Sequence, residues 1–217
     1  HHTHDASLWP SQGLGMLKNV KRERGDAWQQ YFALRWTENA EHVPPGMAAS
    51  PPGRDNRTWL IDYGPHIEQG LVDLARWVEH GVRPDDTSFE YRDGKVTLAP
   101  TAATRGGVQP VVQALANGGV RAEVKVGEPV TLTVHAEVPP GKGTIIAARW
   151  DLDGSGDYSV GLDVDGAQPA IQQSITHTFG TPGVHFATVL VESHTEGDVH
   201  AEARRLPNLA AARVVVS

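Results

Sequence analysis

No cysteine occurs in the 217 residues. Disulfides, thiol nucleophiles and cysteine-ligated zinc are thereby excluded, but the compartment stays open, because many exported proteins simply avoid cysteine. Long apolar runs are missing as well: nothing approaches the roughly 18 residues that a membrane span requires. No charged-then-apolar leader opens the chain. Basic runs are scarce, the densest being Lys21, Arg22 and Arg24 around Glu23, and the net charge is −7. That balance argues against a nucleic-acid partner. What the chain has in quantity is glycine (23) and proline (15), which cut its 39% of hydrophobic residues into short pieces. Such a composition describes a loop-rich globular protein with ample core.

The first residues stand apart. His1, His2 and His4 precede Asp5, with Thr3 interrupting the run and no initiating methionine. A tag remnant, a processed terminus and a fragment of a longer protein all fit, and the last two fit better, since a tag would be an unbroken histidine run. His1, His2, His4 and Asp5 also form a weak metal-site candidate, because closely spaced histidines on a chain end take up metal without having evolved to do so.

Leu14–Val20 has the spacing of a short amphipathic helix, with Pro10 at its entry and Gly25-Asp26 at its exit. The aromatic and apolar run Tyr31–Trp36 reads as a strand. It leads into a loop holding Glu38, Glu41 and His42, which Pro44, Pro45 and Gly46 keep from continuing as helix. A histidine just past a strand end is where α/β enzymes keep a general base. The competing reading is an ordinary surface histidine, one of eleven.

Ile67, Leu71, Leu74, Ala75 and Val78 make one continuous apolar face, which predicts a helix from Pro65 to a left-handed cap at Gly81. His66 and His80 lie at its two ends, about 20 Å apart at 1.5 Å rise per residue, too far to share a metal. Thr87–Tyr91 and Lys95–Leu98 read as a hairpin about the Asp93-Gly94 turn. Arg105-Gly106-Gly107 then marks a boundary, dividing residues 1–104 from residues 105–217. Beyond it, helix periodicity stops. Val108–Leu115, Arg121–Val126, Val130–Val138, Thr144–Leu152, Ile171–Phe179, Val184–Ser193 and Ala211–Ser217 alternate or run apolar between Gly/Pro/Asn/Asp turns. Short strands at that spacing predict a β-sandwich.

Within this half, Trp150, Asp151, Leu152, Asp153 and Gly154, followed by His177, Thr178, Phe179, Pro182, Gly183 and Phe186, resemble the two signature motifs of polycystic-kidney-disease (PKD) domains. The resemblance covers residues 108–217. It implies an immunoglobulin-like sandwich, an extracellular spacer or interaction module of bacterial secreted enzymes without catalysis of its own. The same turn matches half of a calcium loop: Asp151, Asp153 and Ser155 with Gly156 at the sixth place, and Asp157 beside them. Leu162 stands where a bidentate Glu is needed, and no helix flanks the loop. Carboxylates bonding turn amides are the favoured reading, with Ca2+ the alternative.

Residues 1–104 resemble the C-terminal portion of an α/β-hydrolase, in the style of tannase- and feruloyl-esterase-like enzymes. The carriers are Trp77, Val78, Glu79, Gly81 and Pro84, which match the Trp-Val-Glu-Xaa-Gly-Xaa-Xaa-Pro ending of their terminal helix, and the chain order of Asp5 before His42. The resemblance implies Asp5 as triad acid and His42 as triad base, with Glu38 and Glu41 as alternative orienting acids. One departure limits it: no Gly-Xaa-Ser-Xaa-Gly elbow exists in the chain, and Gly154-Ser155-Gly156 has the wrong spacing. The nucleophile would then lie in an upstream hydrolase segment. The fold expectation is therefore α+β and multidomain, a hydrolase-like segment followed by an all-β sandwich. The functional expectation is the acid- and base-bearing part of a secreted or periplasmic serine esterase. The alternative is a non-catalytic extracellular module whose sandwich contacts carbohydrate, cell wall or protein.

Overall fold

The computed structural model describes residues 1–217. Its larger part is built on two facing sheets. One holds β4 (Arg121–Val124), β10 (Leu206–Val216), β9 (Gly183–His194), β6 (Thr144–Asp151) and β7 (Val160–Gly161), in that order. The other holds β3 (Val111–Ala116), β5 (Pro129–Glu137) and β8 (Ala170–Thr178). Every pairing is antiparallel except β4 with β10, which run parallel from Arg121 beside Arg213 to Val124 beside Val216.

Period-two alternation explains why these segments form a sandwich. Along β5, Val130, Leu132, Val134 and Ala136 point inward and are buried, while Thr131, Thr133 and His135 face out. Val189, Val191, Ala212 and Val214 do the same from the opposite sheet. Nineteen buried apolar residues result, with Trp150 fully enclosed among them. The expected sandwich is therefore the observed one. Strand β10 begins earlier than its apolar run suggested, because Pro207 near its start is accommodated opposite Glu192.

Residues 1–107 are organised differently. Helix α1 (Pro10–Arg24) sets Leu14 and Leu17 against Leu34, Trp36 and Leu98, the only buried apolar cluster confined to this half. The hairpin of β1 (Phe89–Arg92) and β2 (Lys95–Leu98) forms as expected, with Asp93 and Gly94 both at positive φ, 51° and 80°. A short helix, α3 (Ala102–Arg105), follows it.

The strand expected at Tyr31–Trp36 is not there. No neighbouring strand pairs with it, so its amides are met by side chains instead: the Leu34 N–H donates to Asp86 Oδ1 at 2.6 Å and the Trp36 N–H to Thr87 Oγ1 at 3.1 Å. A single parallel bridge joins His2 to Thr37. No parallel sheet of the α/β-hydrolase kind exists in residues 1–107; the β1–β2 hairpin is their one sheet.

Helix α2 (Gly64–His80) ends in Gly81 at φ 71°, whose N–H caps the Trp77 carbonyl, so its boundaries are the expected ones. Its orientation is not. The face turned to the protein carries polar groups: Gln69, the one buried residue of the helix, Asp73, which pairs with Arg35 at 2.5 Å, and His66, bonded to the Pro207 carbonyl at 3.0 Å. Ile67, Leu71, Leu74 and Val78 face solvent, 54%, 63%, 50% and 79% exposed.

The two halves meet along the start of β10. Asn39 Nδ2 donates to Asn208 Oδ1 at 2.9 Å and to the Leu209 carbonyl at 3.0 Å, while Ala40 and Ile61 pack on Leu209. Arg105, buried, pairs with Glu38 at 2.5 Å.

Candidate functional site

Asp5 and His42 lie on two irregular stretches, 37 positions apart, that come together beside the start of α1. Asp5 follows the His2–Thr37 bridge and turns into the helix. Its Oδ1 accepts the amides of Ser7 (3.0 Å) and Leu8 (2.6 Å), the bonds of a carboxylate leading into a helix. Its Oδ2 stands 3.4 Å from His42 Nδ1. That separation is long for a hydrogen bond, as acid–base pairs often are before substrate draws them together. Burial pushes the Asp5 carboxyl upward, but the Leu8 and Ser7 amides and the His42 ring outweigh it and hold its pKa below the usual value.

The Asp5 side chain is 5% exposed and that of His42 43%. His42 Nε2 makes no hydrogen bond within the chain. The pair opens into a concavity of about 390 Å3, walled by Leu8, Met16, Phe32 and Leu34 and floored by His2 and Tyr63. No serine, threonine or lysine lines it. A buried carboxylate fixing Nδ1 while Nε2 stays open is an arrangement that can accept a proton from a neighbouring hydroxyl. The one hydroxyl among the lining residues, that of Tyr63, donates to the His42 carbonyl at 2.8 Å, so the concavity does not supply a serine-like nucleophile.

The alternative orienting acids are engaged elsewhere. Glu38 pairs with Arg105 and accepts from Asn208 Nδ2 at 3.2 Å. Glu41 binds backbone amides, Ala6 N at 3.1 Å and Val43 N at 3.2 Å, and neither acid contacts the His42 ring.

The metal candidates disperse. His1 stacks on Trp36 with ring centroids 5.2 Å apart, and its Nδ1 accepts the His2 amide. His2 lies against Tyr63, and His4 bonds Thr3. Burial lowers the pKa of both His2 and His4. No three His, Asp or Glu side chains anywhere in the chain converge as a metal site.

At the Asp151–Asp157 turn, the alternative calcium candidate, the carboxylates bond turn amides. Asp151 is 2% exposed and accepts the amides of Asp153 (3.1 Å), Gly154 (2.9 Å) and Gly156 (2.8 Å). Asp153 accepts the Ser155 amide at 3.0 Å. Positive charge near the turn includes Arg57, which donates to the Ser155 carbonyl at 3.1 Å and lies 3.7 Å from Asp157. Tyr158 completes the junction, its hydroxyl donating to the Arg57 carbonyl at 2.6 Å. Gly156 is required here: at φ 78°, an added Cβ would meet Arg57 Nε at 2.9 Å and Asp55 Oδ1 at 3.0 Å. The turn is a latch between the halves. Sequence reasoning missed Arg57, because nothing local ties it to a turn 98 residues on.

A second, larger concavity, about 820 Å3, lies away from Asp5 and His42, between α3 and the outer face of the three-stranded sheet. Gln113, His135 and Gln172, neighbours across β3, β5 and β8, form a row on its floor.

Comparison with known families adds one finding. Residues 115–203 match the family model of the PKD domain, a stretch running from the end of β3 to just before β10. The sandwich is thus PKD-like in sequence over most of its length. No curated protein matches the chain.

Proposed function

We propose that residues 1–104 form the acid- and base-bearing part of a serine esterase, whose PKD-like sandwich, residues 105–217, is an extracytoplasmic module attached to it. The observation that carries this reading is the buried Asp5 carboxylate aimed at His42 Nδ1 with Nε2 left open in an apolar concavity. The uncovered apolar stripe of α2 supports it, because a helix with such a stripe ordinarily packs that face against another element. The nucleophile comes from a segment upstream in the same protein. In the assembled enzyme His42 takes the proton of the serine hydroxyl and returns it to the leaving alcohol, while Asp5 holds the imidazole in the Nδ1–H tautomer and stabilises the imidazolium.

The test is to express the chain together with the preceding part of its reading frame and to follow p-nitrophenyl ester hydrolysis. Activity that disappears with His42→Ala supports the assignment. A native protein that begins at His1 and travels without a nucleophile-bearing partner sinks it.

A second reading, a non-catalytic binding module, is favoured by the open groove over Gln113, His135 and Gln172. Under that reading Gln113→Ala and Gln172→Ala alter ligand capture while His42→Ala leaves it untouched.

A further inference from the structure

Neither Asp5 nor His42 sits on a helix or a sheet strand. The His4 N–H donates to the Ala40 carbonyl at 3.0 Å and so joins the two stretches just before the pair, but no regular element sets the distance between Asp5 and His42 themselves. Something else must. The two loops approach each other at Glu41, and the contacts there are unusually symmetrical. Oε1 accepts the N–H of Ala6, the residue after Asp5, at 3.1 Å. Oε2 accepts the N–H of Val43, the residue after His42, at 3.2 Å. One carboxylate therefore bridges the backbone of both partners. The carbonyl side of the same loop is held too: His2 Nδ1 bonds the Glu41 carbonyl at 2.9 Å, and the Tyr63 hydroxyl donates to the His42 carbonyl at 2.8 Å.

We propose that Glu41 is a positioning residue for the Asp5–His42 pair, acting through the backbone amides of Ala6 and Val43 and not through the imidazole. The proposal rests on reading that pair as acid and base. A carboxyl group that only capped its own turn would bond Val43, two residues on. It would have no reason to reach Ala6, 35 positions away. The two N–H donors reach different oxygens, Oε1 and Oε2, and a carboxamide replaces one of those acceptors with an NH2 donor. Bonds from amides to a charged acceptor are the stronger kind. The Glu41 carboxyl is accordingly held below its usual pKa: burial raises it, and the Ala6 and Val43 amides more than compensate.

The discriminating variant is Glu41→Gln, which keeps the shape but can satisfy only one of the two amides. The readout is the tautomer of His42, from the nitrogen shifts of histidine-labelled protein at neutral pH. The parent chain is expected to show the Nδ1–H tautomer, and Asp5→Asn to lose it. Glu41→Gln is expected to give a mixture, and Glu41→Asp, which keeps two oxygens, to recover most of the parent signal. In the upstream-complemented enzyme, Glu41→Gln should lower kcat at least tenfold with KM little changed. A Glu41→Gln protein that folds normally and keeps the parent tautomer overturns the proposal. Should Glu41→Gln fail to fold, the parent protein decides: the Ala6 and Val43 amide shifts must titrate together on lowering pH, and independent titration overturns the bridge. The tautomer measurement needs no nucleophile. A tautomer change without esterase activity in any preparation therefore leaves the positioning role intact and removes the hydrolase reading. Activity whose loss in Glu41→Gln is unaccompanied by a tautomer change does the reverse.

Discussion

The solvent-facing stripe of α2 can be tested by replacing Leu71 and Val78 with glutamine. Fully burying a leucine or valine stabilises a protein by about 1.5–3 kcal/mol. Leu71 is 63% exposed and Val78 79%, so only about a third and a fifth of that contribution is realised in the chain as described. Removing it should cost about 0.5–1 kcal/mol at Leu71 and about half as much at Val78. For a protein of this size each kcal/mol moves the unfolding midpoint by about 2–4 °C. The double variant should therefore unfold within a few degrees of the parent in a circular-dichroism melt, and should bind less of a hydrophobic dye. Covering the stripe with the nucleophile-bearing segment would realise the remaining two thirds at Leu71, so the same substitution would weaken that association about 5–30-fold. A loss of 2 kcal/mol or more from Leu71→Gln in the chain alone would refute the reasoning. It would mean that the stripe is already covered within the chain.

Other outcomes follow from the geometry. Leu132→Ala, at a fully buried position in the sandwich, should cost about 2–5 kcal/mol in urea unfolding, several times the α2 substitutions. Asp151→Ala strips the acceptor from three turn amides and should destabilise by at least about 2 kcal/mol, while added calcium leaves the parent midpoint unmoved. His66 is lowered by burial to about 4, against a hydrogen bond to Pro207 that favours the charged ring. Its unfolded form takes up a proton from pH 6.5 downward and its folded form only near 4, so stability should fall as pH drops through that window. Because the ring keeps some solvent contact, the expected loss is about 1–2 kcal/mol, absent in His66→Gln.

The legible part of the fold is the part governed by local rules. Alternation named the sandwich strands, Asp93-Gly94 named the hairpin, and Pro65 with Gly81 framed α2. What escaped were features set by distant partners. Tyr31–Trp36 carries strand composition but finds side chains of Asp86 and Thr87 where a neighbouring strand would have been needed. The apolar face of α2 has the right period and faces the wrong way for a self-contained core, because Gln69, Asp73 and His66 find better partners inside. At the candidate site, chain order and loop context brought out Asp5 and His42, which the structure sets 3.4 Å apart. The backbone role of Glu41 left no sequence signal, since any loop carboxylate near a histidine suggests contact with the ring.

Strand β10 has a consequence for how the protein comes into being. The Asn39–Asn208 bond closes a separation of 169 residues, and Pro207 and Leu209 also hold His66, Gln109 and Ile61. Contacts of such long range form late, after loop-closure entropy has been overcome. At about 5–20 residues per second, a ribosome needs about 10–30 s between releasing the first partner and making the second. During that interval Asn39, Ile61 and His66, which flank the Asp5 and His42 loops, lack the strand they pack on. Residues 1–104 are made well before the strand that secures them, so truncating the final strand should loosen the candidate site at the other end of the chain.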